Sequence, residues 1–261
     1  MSDPVNIISL GAGVQSSTMA LMAACGELTP MPTCAIFADT GDETESVYRW
    51  LDWLEPKLPF PLVRVSVGKL SLAAMTARTS GHGTRYVKPG LPVYFDNGGR
   101  GGRTCTMDYK IVPIQRYAKA IRGNKNVLMW IGISTDELQR IKPTREDWCD
   151  NYYPLVEKRM SRYQCLAWMN ERGYPEPPRS ACYYCPFHSD EEWLRLKTEE
   201  PKEFEKAVKY EQQYQAAVSP VFDNVPFLHP SRVPLSEIDF SKPHDPQLSL
   251  WQDECEGMCG V

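Results

Sequence analysis

Short apolar runs punctuate the first half of the chain, continuous at residues 6–10 (ending at Gly11), 33–38 and 126–133 and alternating at 62–67. Runs of this length, bounded by turn residues, predict buried strands. Between them the period lengthens. Residues 18–25, with Met19, Leu21, Met22 and Ala23 apolar, predict a helix, and residues 43–54 place Val47, Trp50, Leu51 and Leu54 on one stripe of another. Strand–helix–strand–helix–strand predicts an α/β chain: a Rossmann-like, mostly parallel sheet with right-handed crossovers, flanked by helices.

Residues 78–104 break the pattern. They are rich in Gly and Pro, and they are basic: Arg78, Arg85, Lys88, Arg100 and Arg103 stand against Asp96 alone. A long loop inside a compact domain usually carries function. Residues 107–121 read as helix, with Pro113 marking its first turn or a kink. Past residue 145 Trp, Tyr, Pro and Cys become frequent. No further buried strand is expected there; residues 165–171 and 190–215 read as helices, and 219–261 as irregular chain. The boundary divides an α/β domain, residues 1–145, from a Cys-rich, mostly helical and irregular region, 146–261, packed on it.

At 261 residues the chain is long enough for one large core, or one core with an appendage. A net charge of -4 gives no global attraction to nucleic acid, and leaves room for a local basic patch. The apolar runs fall short of the roughly 20 residues that span a bilayer, and the N-terminal residues lack the basic start of a signal peptide. The expectation is a cytoplasmic protein with no membrane partner. Nine cysteines in a reducing compartment point to metal binding or reactivity rather than disulfides. Cys25, Cys34 and Cys149 read as packed thiols.

The segment from Ser9 to Thr18, SLGAGVQSST, follows a strand and opens a helix. Gly11 and Gly13 allow a tight turn and close approach of a ligand around Ala12. The helix start offers unpaired N–H groups and the positive dipole end, with hydroxyls from Ser9, Ser16, Ser17 and Thr18 nearby. This suits a phosphate, pyrophosphate or sulfate. No Lys precedes Ser17, so it is not a Walker loop. The second strand ends in Asp39-Thr40-Gly41, at the strand end where open α/β sheets bind ligands. Asp39 there suits a ribose, a base or a metal, while Thr40 or Asp42 equally suits a helix cap.

Together these segments resemble the phosphoadenosine phosphosulfate (PAPS) reductase family, within the adenine nucleotide α-hydrolase (PP-loop) superfamily. Cys105-Thr-Met-Asp-Tyr-Lys110-Ile-Val-Pro113 is similar to a third family element, and Gly132-Ile-Ser-Thr-Asp136-Glu137-Leu-Gln-Arg140 to a fourth. The resemblance spans residues 5–190. It implies that Ser9, Gly11, Ala12, Gly13, Gln15, Ser16, Ser17, Asp39, Thr40 and Gly132 bind an adenine nucleotide, PAPS or ATP, with Mg2+ in the ATP case. It also implies that Lys110 and Arg140 meet a phosphate or sulfonate. Two positions depart from the pattern: Gln15 stands where ATP pyrophosphatases carry Asp, and Ser134 where the family carries Arg.

Cys182-Tyr-Tyr-Cys185 is the sharpest metal signal, because two thiolates three residues apart can grip one ion. The resemblance adds Cys105 as a third ligand of an iron–sulfur cluster (4Fe–4S); zinc suits the same thiolates. Cys165 is the candidate fourth ligand, with Cys255 and Cys259 as others. By the same resemblance, Cys255 in the tail Glu254-Cys255-Glu256 is the catalytic nucleophile, although Glu254 and Glu256 oppose a free thiolate. Of the four histidines only His188, just after Cys185-Pro-Phe, is a candidate ligand, with a surface role as the favoured alternative. Three readings follow: a sulfonucleotide reductase using a thiol electron donor; an AMP-forming, ATP-dependent sulfurtransferase with a sulfur donor, acting on nucleic acid held by residues 78–104; and a zinc-stabilised nucleotide-binding module without catalysis.

Overall fold

A computed structural model of the chain describes residues 3–144 and 146–241. Five strands form one sheet: β1 (Val5–Leu10), β2 (Cys34–Asp39), β3 (Leu62–Ser66), β7 (Val127–Ile131) and β8 (Cys149–Tyr152). Their order is β3-β2-β1-β7-β8 and every pair is parallel. Short strands intervene in sequence: β4 (Ala77–Thr79) pairs with β5 (Arg85–Val87), and β6 (Tyr94–Phe95) with β9 (Pro226–Phe227), both antiparallel. The α/β expectation holds.

The strand period of two divides the sheet's side chains between two cores. Ile8, Leu10, Ala35, Phe37 and Trp130 face α1 (Val14–Ala24), α2 (Glu45–Leu54) and, from the second half of the chain, α5 (Pro154–Glu157) and α6 (Arg162–Glu171). Ile7, Cys34, Ile36, Met129 and Ile131 face α4 (Val112–Ile121). Both faces are covered, which is why these strands read as unbroken apolar runs. A third core joins α3 (Leu70–Ala74), α7 (Asp190–Glu199) and α8 (Pro201–Val218) to the 91–109 segment and the Cys182–Tyr184 turn. Among the described residues no helix is long and apolar enough to cross a membrane.

Several boundaries differ from the sequence reading. The first helix starts at Val14, one turn earlier than expected, immediately after the glycine turn. The fifth strand, β8, lies beyond residue 145, so the sheet itself crosses the expected boundary. Its sequence, CDNY, is polar because it is an edge strand with one neighbour. The 78–104 segment holds the β4–β5 ribbon rather than bare loop. The helix expected over 107–121 opens with a wide π turn at Met107–Ile111 before α4, and Pro113 sits in the first turn of α4. The helix expected over 190–215 is two helices, because Pro201 cannot continue the ladder of α7. Helix α6 starts earlier than 165, at a capping box: Ser161 Oγ accepts from the Gln164 N–H at 3.2 Å, and Gln164 Oε1 accepts from the Ser161 N–H at 2.8 Å.

Candidate functional site

The chain runs from β1 outward to β2 and β3, then returns to place β7 on the other side of β1. The gap between the ends of β1 and β7 is therefore the switch point at which open α/β sheets bind ligands. The turn Gly11-Ala12-Gly13 lies there. Ala12 is buried and left-handed, at φ 62°. Gly13 is the N-cap of α1 and supplies no side chain, so the first N–H groups of α1 have no side-chain cap. A Cβ built at Gly13 meets no atom within 4 Å: the helix start opens onto free space.

The opposite wall is β7. A Cβ on Gly132 would lie 2.7 Å from Ser16 N, 2.8 Å from Ser16 Cα and 3.1 Å from the Gln15 carbonyl carbon. Only glycine lets this strand end rest on the first turn of α1. The Ser9 hydroxyl, at the end of β1, is buried and lacks a hydrogen-bond partner. The other hydroxyls of the segment serve the loop itself. Ser16 Oγ accepts from Gly11 N–H at 3.1 Å and donates to Gly13 O at 3.3 Å. Ser17 Oγ accepts from Trp50 Nε1–H at 2.9 Å, and Thr18 Oγ1 donates back to Val14 O.

The two departures from the family pattern touch each other. Gln15 Nε2 donates to Ser134 Oγ at 3.3 Å and to Glu137 Oε2 at 3.0 Å, while its Oε1 accepts from Arg162 at 3.3 Å. Arg140 pairs with Glu137 in turn. Asp136 anchors α6, accepting from the Arg162 N–H with both oxygens at 3.1 Å. Burial raises its carboxyl, but hydrogen bonds from Ser134 and the backbone N–H groups outweigh that and leave its pKa below the ordinary value. Arg162 was not singled out from sequence; its contact with Gln15 spans 147 residues, and no local signal marks it.

At the end of β2, Asp39 Oδ1 accepts from Gly41 N–H and Tyr48 O–H, both at 2.8 Å, so it shapes the turn. Thr40 Oγ1 donates to Glu43 at 3.3 Å and lies 3.4 Å from Cys182 Sγ. Asp42 is 1 % exposed and accepts from Ser71 N–H, Ser71 Oγ–H and Tyr184 O–H. Lys110 reaches Glu43 at 3.2 Å. The CxxC turn docks on this loop: Glu43 and Cys182 form a β-bridge, and Tyr183 N–H donates to Asp42 O.

Cys182 is thus brought to the sheet's C-terminal edge, beside Lys110 and Glu43. Burial pushes its thiol well above the usual value; Glu43 adds to the shift and Lys110 opposes it. Cys105 packs against the same core, and Cys185 closes the CxxC turn by donating its N–H to Cys182 O. Cys165 does not join them. It is buried on α6 in the core shared with α1, where burial pushes it up to about 12. Burial likewise raises Cys34 and Cys149 to about 11, as packed thiols require. Among the described residues no three His, Cys, Asp or Glu side chains converge as metal donors. Cys255 and Cys259 lie outside the described residues. His188 is buried, with Nε2 3.0 Å from Cys182 O, and so braces the CxxC turn.

No protein-family model matches the chain, and no curated protein matches it in sequence. Among solved structures it is similar to a phosphoadenylyl-sulfate (PAPS) reductase from Candida auris in complex with phosphate, at 15% identity and a TM-score of 0.45. The match covers 67% of this chain and 76% of that one.

Proposed function

We propose that this is an enzyme that holds the phosphates of an adenine nucleotide against the Gly11–Gly13 turn and the first turn of α1, and transfers or reduces a sulfur group on that nucleotide. The observation that carries the reading is the uncapped start of α1, open at Gly13, set at the sheet's switch point beside a buried hydroxyl, Ser9, with no partner. A helix start with free N–H groups and a positive dipole end is an anion site.

This reading gives Arg140 and Lys110, which pair with Glu137 and Glu43, the role of cations toward the nucleotide. An incoming phosphate or sulfonate competes with those carboxylates for the same donors. In the reductase reading a thiolate attacks the sulfonate sulfur, forming an S–S bond as the S–O bond to the nucleotide breaks, and the nucleotide leaves as its phosphate. A donor thiol then forms a disulfide with the enzyme's cysteine and releases sulfite. The family resemblance gives the attacking thiol to Cys255. Calorimetric binding of PAPS, followed by sulfite release with a dithiol donor, tests this; binding without sulfite leaves the nucleotide site and removes the reductase step.

The basic charge of residues 78–104 favours a second reading, in which ATP is cleaved to AMP and pyrophosphate while sulfur is placed on a nucleic acid. Pyrophosphate release from ATP that depends on added RNA or DNA separates it from the first.

A further inference from the structure

The β4–β5 ribbon contributes only the half-buried Val87, at its base, to the three cores. Its side chains from Ala77 to Thr79 are exposed, as are Arg85 and Tyr86. Arg78 and Tyr86 are directly opposed in the register, and so are Thr79 and Arg85, which sets a cation beside an aromatic ring on one face and a second cation on the other. Its base is tied to the thiol region, because Gly90 O accepts from the N–H groups of Thr104 and Cys105, and Gly90 N–H donates to Thr104 Oγ1. A second group of arginines gathers there on one ring. The guanidinium carbons of Arg100 and Arg103 lie 4.6 Å and 4.9 Å from the centroid of Phe187, two residues after Cys185. Arg179 Nη2 donates to Phe187 O at 3.0 Å, and its Nε is buried with no hydrogen-bond partner. Among the described residues no carboxylate forms an ion pair with Arg78, Arg85, Arg100 or Arg179, whereas Lys88 is held by Asp108 at 3.6 Å.

In a chain of net charge -4, residues 70–107 carry Asp96 as their one acidic side chain. Within that segment like charges stand together with one acidic residue to offset them. Folding gains the ring contacts of Arg100 and Arg103 with Phe187, while Arg78 and Arg85 on the exposed ribbon would gain from an external polyanion. Arginine forks match phosphate oxygens, an exposed aromatic offers a face for a base, and a two-stranded ribbon has the width of a nucleic-acid groove.

We propose that the β4–β5 ribbon and the arginines around Phe187 form one docking surface for the phosphate backbone of a nucleic acid, leading the strand to the partly exposed thiols Cys105 and Cys185. The inference deepens the second reading above by naming its surface, and its test needs no nucleotide.

Fluorescence anisotropy with a labelled oligonucleotide of about 20 nucleotides, as single-stranded RNA, single-stranded DNA and duplex DNA, measures binding across a salt series. With four or so phosphates engaged, log K falls against log salt with a slope of about -3 to -4. Arg78→Ala/Arg85→Ala weakens binding at least tenfold and reduces the slope by about 2, near one per arginine removed. Arg100→Ala adds a further loss. Arg49→Ala, on the exposed face of α2, leaves binding unchanged. The ribbon substitutions touch no core, so melting temperatures stay at the wild-type value. A salt slope near zero, ribbon variants that bind as wild type does, or binding to anionic vesicles with none to any oligonucleotide would overturn the proposal. PAPS or ATP binding measured on the same variants stays intact, so failure of this surface and failure of the phosphate turn give different results.

Discussion

Replacing Gly132 by alanine tests the candidate site at its tightest point. The new methyl carbon would meet Ser16 N at 2.7 Å and Ser16 Cα at 2.8 Å. Favourable contacts between carbon atoms lie at about 3.5–4.0 Å, so strand end and helix start must part by roughly 0.7–1 Å. The obstacle is backbone on both sides, which cannot rotate away. Overpacking of this kind costs about 1–3 kcal/mol. At about 2–4 °C per kcal/mol for a chain of this size, the melting temperature falls by roughly 2–12 °C. The same shift moves the N–H groups of the first turn of α1 from their places, and nucleotide affinity falls at least tenfold, about 1.4 kcal/mol. Gly13→Ala is the contrasting change. Its methyl meets nothing within 4 Å, so the fold holds to within about 1 kcal/mol, since the small loss at an N-cap and the gain in chain stiffness offset each other. The methyl occupies the space assigned to the ligand, so affinity still falls. Scanning calorimetry and titration with PAPS and ATP read both variants. A Gly132→Ala protein that melts and binds like wild type refutes the packing; a Gly13→Ala protein with full affinity refutes the cradle.

Ala12→Gly should leave stability unchanged or raise it by up to about 1 kcal/mol, because it relieves a left-handed alanine that costs about 1–2 kcal/mol; a lower melting temperature would contradict this. Trp50→Phe leaves the fully buried Ser17 hydroxyl without its donor, and chemical denaturation should show a loss of roughly 2–3 kcal/mol. Glu211, 2 % exposed, accepts from the N–H groups of Leu228 at 2.9 Å and Leu235 at 2.8 Å; Glu211→Gln turns an amide donor toward one of them and costs about 1–3 kcal/mol in the same assay. The gap between wild type and Glu211→Gln also depends on pH. Burial holds the Glu211 carboxyl above its ordinary 4.5, against the two backbone hydrogen bonds that lower it, so the folded state keeps a proton that the unfolded chain has lost. That stability is fully present below pH 4.5 and is lost as pH rises through the folded-state value. The gap in melting temperature therefore narrows from pH 4.5 upward, and a gap that widens would reverse the sign of the argument.

Sequence determined the parts of this protein that each element encodes alone. Strands β1, β2 and β7 were legible because helices cover both faces of the sheet, which leaves continuous apolar runs, and the edge strand β3 by its alternation. The stripe Val47, Trp50, Leu51 and Leu54 reads as helix at sight, and all four are buried. The glycine turn was legible for the same local reason: backbone that must turn tightly needs residues without a Cβ.

Tertiary structure decided what depends on a partner far along the chain. Strand β8 is too polar to announce itself, and is a strand only because the edge of β7 offers a ladder. Gln15 meets Ser134 and Glu137 across 119 and 122 residues, so two positions that each look like a lost function form one contact. Nine cysteines look alike in composition, yet Cys182 is carried to the edge of β2 by a bridge to Glu43, while Cys165 is sealed beneath α1. Periodicity records how deeply a residue is buried; which neighbour it is buried against is set by the order of strands in the sheet, and that order is a property of the whole chain.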